Sequence, residues 1–158
     1  MQTAHSPAPA ANPSDVTVHG KGSVFVQQIA SGKHHFQCDE PLDLGGTDAA
    51  PTPYDYLVAA LGACTSMTIG WYARKRNIPV EDIRVSLWHS RIHAKDCEDC
   101  LTKEGMIDRI ELEIALTGAL TAEQHTLLME AAARCPVHKA LSSEIDIRTR
   151  SAAAPVAS

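Results

Sequence analysis

The chain has 158 residues, 44% of them hydrophobic, with a formal net charge of -5 and five cysteines. That supplies apolar material for one globular domain and not comfortably for two. The negative balance, without a basic cluster anywhere, argues against nucleic acid or an anionic membrane as the main partner, and no apolar run approaches the roughly 20 residues that span a bilayer.

Residues 1–14 lack both a basic start and a continuous apolar stretch, so they do not read as a secretory signal. They are expected to form a disordered tail, as is the Ala-Pro-rich stretch 151–158, leaving a single domain over residues 15–150. Without an export signal the expected location is cytoplasmic. There, structural disulfides are uncommon, and thiols are more often catalytic, redox-active or metal-binding.

Val16 to Gly20 and Ser23 to Ile29 are rich in β-branched residues on either side of Gly20-Lys21-Gly22, which predicts a hairpin, with a third strand over His34 to Asp39. The prolines and paired glycines between Glu40 and Pro51 mark a loop. Thr52 as N-cap, Pro53 at the first helical position and Asp55 in the first turn start a long helix that runs to about Arg76, before Asn77-Ile78-Pro79. Leu57, Ala60, Leu61, Cys64, Met67, Thr68 and Trp71 recur along it at spacings of three and four, so Cys64 belongs to an apolar stripe expected to be buried. From Val80 the period becomes two, and two long antiparallel strands are expected around the loop Asp96 to Gly105. Thr121-Ala122-Glu123-Gln124 resembles a capping box opening a helix that ends near Arg134, and Ser143 to Thr149 reads as a closing strand.

Cys64 inside the helix and Cys135 at the turn Arg134-Cys135-Pro136-Val137-His138 are the residues with chemical promise. If the fold unites them, they suit a thiol enzyme in which one cysteine is oxidised and the other closes a disulfide on it; if not, they are small core residues. Pro136 suits the first position of a short helix, which puts Cys135 near an N-cap, where backbone N–H groups favour a thiolate.

Gly45-Gly46-Thr47-Asp48-Ala49-Ala50-Pro51-Thr52-Pro53, Leu57-Val58-Ala59-Ala60-Leu61-Gly62-Ala63-Cys64-Thr65 and Cys135-Pro136-Val137-His138, with Leu141 after it, occur in an order and spacing that resembles the OsmC/Ohr family, in its OsmC-like branch. The resemblance implies an α+β fold built as an intertwined homodimer, with long cysteine-bearing helices at the centre and antiparallel sheets wrapped around them. It also implies reduction of organic hydroperoxides, with Cys64 oxidised to a sulfenate and Cys135 resolving it as a disulfide, which an external thiol or dithiol then reduces. The alternative is an OsmC-like redox-sensing or small-ligand-binding protein with little peroxidase activity. No cofactor is implied.

The peroxidase branch of that family activates its first thiol with an arginine from the loop before the long helix, held by a glutamate in the helix's first turn. Here Tyr54, next to Asp55, stands at the glutamate position, and Ser31 to Ala50 contains no arginine. Losing both together is coherent, since a carboxylate that orients an absent arginine has nothing to do. Lys33 and His35, with His34 between them, are the candidates for a substitute cation, and His138 lies one helical turn after Cys135.

A second constellation, His89, His93, Cys97 and Cys100, occupies the connection between the long strands. Two imidazoles and a C-x2-C pair match what tetrahedral zinc prefers. His89 and His93 would, however, lie roughly 13 Å apart on a straight strand, which sets four ligands from one strand against geometry. A three-ligand site at His93, Cys97 and Cys100, a second redox dithiol and a plain polar loop stay open, and no metal is assigned. Cys38 reads as an ordinary strand cysteine.

Overall fold

A computed structural model describes residues 16–151. The tails expected at 1–14 and 151–158 lie outside the described residues, Ser151 apart. The chain divides into two compact units, one ending at Leu57 and one beginning at Val58.

In the first unit, β1 (Val16–Gly20), β2 (Gln27–Ser31) and β3 (His34–Cys38) form an antiparallel sheet in the order β1-β2-β3. Strand β2 begins at Gln27, four residues later than the sequence pattern predicts. Val24 N donates to the Lys21 carbonyl at 3.2 Å and the Gln27 amide donates to the Phe25 carbonyl at 2.9 Å, so the turn engages residues 21–26 before ladder pairing starts at Gly20↔Gln27. Gly32, at φ 56°, opens the tight turn into β3 in a conformation that costs glycine little.

The loop after β3 is organised by Asp39, which is buried. One carboxylate oxygen accepts from Thr47 Oγ1 at 2.6 Å, from Thr47 N at 3.0 Å and from Ala49 N at 3.1 Å. The Thr47 hydroxyl bond, followed by the Ala49 amide, lowers the Asp39 pKa to about 2. Gly46 makes the wrap possible, because a Cβ there would run into the Glu40 carbonyl.

Helix α1 (Pro53–Arg76) starts as expected. Asp55 N donates to Thr52 Oγ1 at 3.2 Å, and Thr52 N donates back to the Asp55 carboxylate at 2.8 Å, a reciprocal cap that satisfies two N–H groups at the helix start. It stops at Asn77, held at φ 52°, where Ile78 N reaches the Ala73 carbonyl at 2.9 Å and Asn77 N the Arg74 carbonyl at 3.3 Å. This is a Schellman ending, and Ile78 joins Ala73 in the core behind it.

The second unit pairs β4 (Val80–His93) with β5 (Met106–Gly118) in a long antiparallel ribbon, from Val80↔Gly118 to His93↔Met106. Helix α2 (Ala122–Ala132) begins at the capping box of Thr121 and Gln124, and the short helix α3 (Pro136–Leu141) follows. Ile69 and Ala73 of α1, Ile78, and Leu128 and Ala132 of α2 form the core, with Val80, Ile83, Ile114 and Leu116 of the ribbon packed against it. Gly62 lets the ribbon close on α1, since Leu87 fills the space a Cβ would need.

Two expectations are corrected. The buried face of α1 is Leu61, Gly62, Thr65, Ile69 and Ala73, whereas Met67 is 72% and Trp71 55% exposed. The helix is apolar on two faces, and the ribbon and α2 cover only one. The closing strand expected over Ser143 to Thr149 is absent; after a turn the segment runs as irregular chain with Ile145 and Ile147 exposed, because no described strand offers it a ladder. Among the described residues no helix is long and apolar enough to cross a membrane.

Candidate active site

The second unit brings Cys64 and Cys135 together. Cys64 sits in the middle of α1, half-buried. Cys135 is the N-cap of α3, fully buried, tied to α2 by its N–H to the Ala132 carbonyl at 3.1 Å and to α3 by the Lys139 N–H on its own carbonyl at 3.0 Å. The sequence around each explains the meeting. The helix must turn its small residues inward for Leu87 and α2 to pack, and Pro136 breaks the chain from α2 into a new helix with the sulfur at its head.

Burial alone would push the Cys135 thiol up. The neighbouring Cys64 thiol, His138 backbone N–H, Thr65 hydroxyl and Val137 backbone N–H, in that order of effect, outweigh it and hold its pKa below the ordinary thiol value. Thr65 is buried on the inner face of α1, and its hydroxyl makes no hydrogen bond of its own among the described residues. Nothing in the sequence reading had singled it out. The signal available was its position beside Cys64, which places the two on neighbouring rows of the helix.

Cys64 opens onto a cleft of about 650 Å³ floored by Met67, Trp71 and Pro136. Lys75, Arg76 and Arg134 line it as well. Lys75 lies over the Trp71 ring at 4.9 Å, Arg76 over the Tyr72 ring at 5.3 Å, and Arg134 faces Glu130 at 3.9 Å. Lys75 and Arg76 also lie in the last turn of α1, where they complement the helix dipole. An apolar cleft with a thiol and cations in its lining can admit a hydrophobic molecule and present it to Cys64.

The family pattern described as "OsmC-like protein" matches residues 46–150, a span that contains both cysteines. The chain belongs to the OsmC-like family. No curated protein matches it. Solved structures share the α+β OsmC-like fold. An OsmC-like protein from Mycoplasma pneumoniae is 17% identical with a TM-score of 0.64, covering 82% of this chain and 86% of its own. An organic hydroperoxide resistance protein OsmC from Legionella pneumophila is 22% identical with a TM-score of 0.60, over 85% and 91%. The organic hydroperoxide resistance protein OhrB of Bacillus subtilis is 23% identical with a TM-score of 0.57, over 84% and 92%.

The other candidates of this OsmC-like chain are placed as follows. Lys33 lies in the turn between β2 and β3 and His35 on β3, both exposed, in the unit that ends at Leu57. His138 acts on the Cys135 thiol through its backbone N–H and not through its ring. Tyr54, at the glutamate position of the peroxidase branch, is an exposed residue of the first helical turn. Cys38 is buried at the end of β3, its thiol pushed up by burial and by the carboxylates of Glu40, Asp39 and Asp55.

Cys97 and Cys100 are bonded to each other as a disulfide, so neither offers a thiolate to a metal. His89 is engaged by Asp108 at 3.0 Å. Among the described residues no group of three or more His, Cys, Asp or Glu is arranged to hold a metal ion.

Proposed function

We propose that this OsmC-like protein reduces organic hydroperoxides with Cys64 as the oxidised and Cys135 as the resolving residue. The observation that carries the reading is the closeness of Cys64 to Cys135, which sets a thiol at the cleft beside a second sulfur held toward its thiolate form. The organic hydroperoxide resistance proteins that share the fold support the substrate class.

In this reading Cys135 does part of what the arginine does in the peroxidase branch. Its thiolate takes the Cys64 proton, and the Cys64 thiolate attacks the distal oxygen of the hydroperoxide. The O–O bond breaks, Cys64 becomes a sulfenic acid, and the alkoxide leaves as an alcohol with the proton relayed from Cys135. The Cys135 thiolate then attacks the Cys64 sulfur, forming the disulfide and releasing hydroxide, which solvent protonates to water. An external dithiol returns two electrons and two protons and restores both thiols. Lys33 and His35 remain the side-chain candidates for an additional activating cation.

A single domain over residues 15–150, an intertwined homodimer and a cytoplasmic location complete the proposal. The exposure of Met67 and Trp71 on the second apolar face of α1 supports the dimer, since a helix apolar on both sides is better covered by a second copy.

Turnover of cumene hydroperoxide with a dithiol reductant, lost in Cys64→Ser, tests the function. The second reading, a redox-sensing or ligand-binding protein with little peroxidase activity, is favoured by the absence of arginine between Ser31 and Ala50. It predicts binding in the cleft without turnover.

A further inference from the structure

We infer that the Cys97–Cys100 disulfide is a second redox site, a thiol–disulfide exchange centre for an external dithiol, separate from Cys64 and Cys135. It bridges residues only three apart in the β4–β5 connection, with Cα atoms 5.4 Å from each other. A staple across so short a ring removes little freedom from the unfolded chain. The connection is also closed without it. Ala94, fully buried, donates its N–H to the Gly105 carbonyl at 2.8 Å, Cys97 N bonds the Ala94 carbonyl at 3.1 Å, and Lys103 Nζ reaches the Glu98 carbonyl at 3.2 Å. The disulfide can therefore open while the hairpin stays folded, as reversible exchange requires.

Access and electrostatics select the partner. Both cysteines are half-buried at the hairpin tip, outside the core cluster, and the next residue, Leu101, is 99% exposed. Asp96, Glu98 and Asp99 surround the two sulfurs in sequence. Their carboxylates repel an anionic attacking thiolate. A monothiol that forms a mixed disulfide is expelled again when the neighbouring cysteine recloses its small ring. A dithiol escapes this reversal, because its second thiol attacks its own mixed disulfide intramolecularly. A neutral dithiol is thus the class of reductant that fits.

The exchange balances within the pair. One thiolate of the dithiol attacks a protein sulfur, the Cys97–Cys100 bond breaks, and the released cysteine takes up a proton. The dithiol's second sulfur then displaces the other cysteine, leaving a cyclic disulfide and two protein thiols. Two electrons and two protons pass from the dithiol to the protein, and an oxidised dithiol reverses the transfer.

The test treats folded protein with reduced dithiothreitol or, at equal thiol concentration, glutathione, then alkylates and maps the cysteines by mass. It uses wild type and Cys64→Ser/Cys135→Ser, so that the outcome is independent of the peroxidase reading. Dithiothreitol should expose two further alkylatable cysteines, Cys97 and Cys100, reversibly with oxidised dithiothreitol and with an unchanged circular dichroism spectrum. It should act on the order of tenfold or more faster than glutathione. Mapping Cys97 and Cys100 directly in wild type gives the same answer if the double variant fails to fold. A disulfide that opens only after denaturant is added, one whose opening melts the ribbon, or equal rates with both reductants would overturn the inference.

Discussion

Cys64 in the middle of α1 lies beside Cys135 at the head of α3 and is the strongest of the influences that hold the Cys135 thiol below its ordinary pKa. The buried sulfur is biased toward the charged form by the one that lines the cleft. Removing Cys64 should therefore change the ionisation of Cys135.

Cys64→Ala deletes the largest of the interactions that favour the Cys135 thiolate, leaving burial less opposed. The midpoint for appearance of thiolate absorbance should move to higher pH than in wild type. The folded-state pKa of Cys135 is depressed, so stability from this group grows as pH rises from the folded value toward the unfolded one, and is lost as pH falls through the folded value. Thermal midpoints measured across that window should rise less steeply in Cys64→Ala.

Cys135→Ser should do more than block the disulfide. If Cys135 is the local base, Cys64 is oxidised more slowly by a hydroperoxide, by about 10²- to 10⁴-fold for the loss of a positioned base. Stopped-flow consumption of one equivalent of hydroperoxide reads the rate. A resolving role alone would leave the first oxidation at its wild-type speed.

Asp39→Asn tests what organises the loop before α1. The variant keeps the size of the side chain and loses the charge that Thr47 and Ala49 address. The Asp39 pKa is lowered from 3.8 to about 2. Its contribution is present above about pH 4 and disappears as pH falls through about 2, so wild type and variant should differ in thermal midpoint at neutral pH and converge in acid.

The two apolar faces of α1 make opposite predictions. Leu128→Ala hollows the core that covers the inner face and should cost about 2–5 kcal/mol in chemical denaturation. Trp71→Glu changes an exposed residue on the outer face. In the proposed homodimer it yields a monomer by light scattering, and in a protein already monomeric it changes neither mass nor, beyond about 0.5 kcal/mol, stability.

Much of this architecture is legible in local chemistry. Thr52-Pro53 and Asp55, Asn77 before Pro79, and Thr121 with Gln124 each mark a helix end through a bond the backbone needs, and the structure makes those bonds. Cys135 at an N-cap follows from Pro136 in the same way. The buried side of α1 was not legible, because a helix apolar all round has no moment to choose a face by; Leu87 at Gly62 and Leu128 at Ile69 chose it. Thr65 escaped notice for the same reason. The segment Ser143 to Thr149 has strand-like alternation, but a strand needs a neighbour, and alternation does not supply one. That Cys64 and Cys135 meet depends on long-range packing, and only the family resemblance anticipated it.

The most direct measurement is rapid mixing of reduced protein with one equivalent of cumene hydroperoxide, quenching, and mass mapping of the cysteines in wild type and Cys64→Ser. Two-cysteine peroxidase chemistry predicts a Cys64–Cys135 disulfide within seconds in wild type and none in the variant. Unreacted Cys64 after minutes would contradict it, and would leave an OsmC-like fold whose cleft binds rather than reduces.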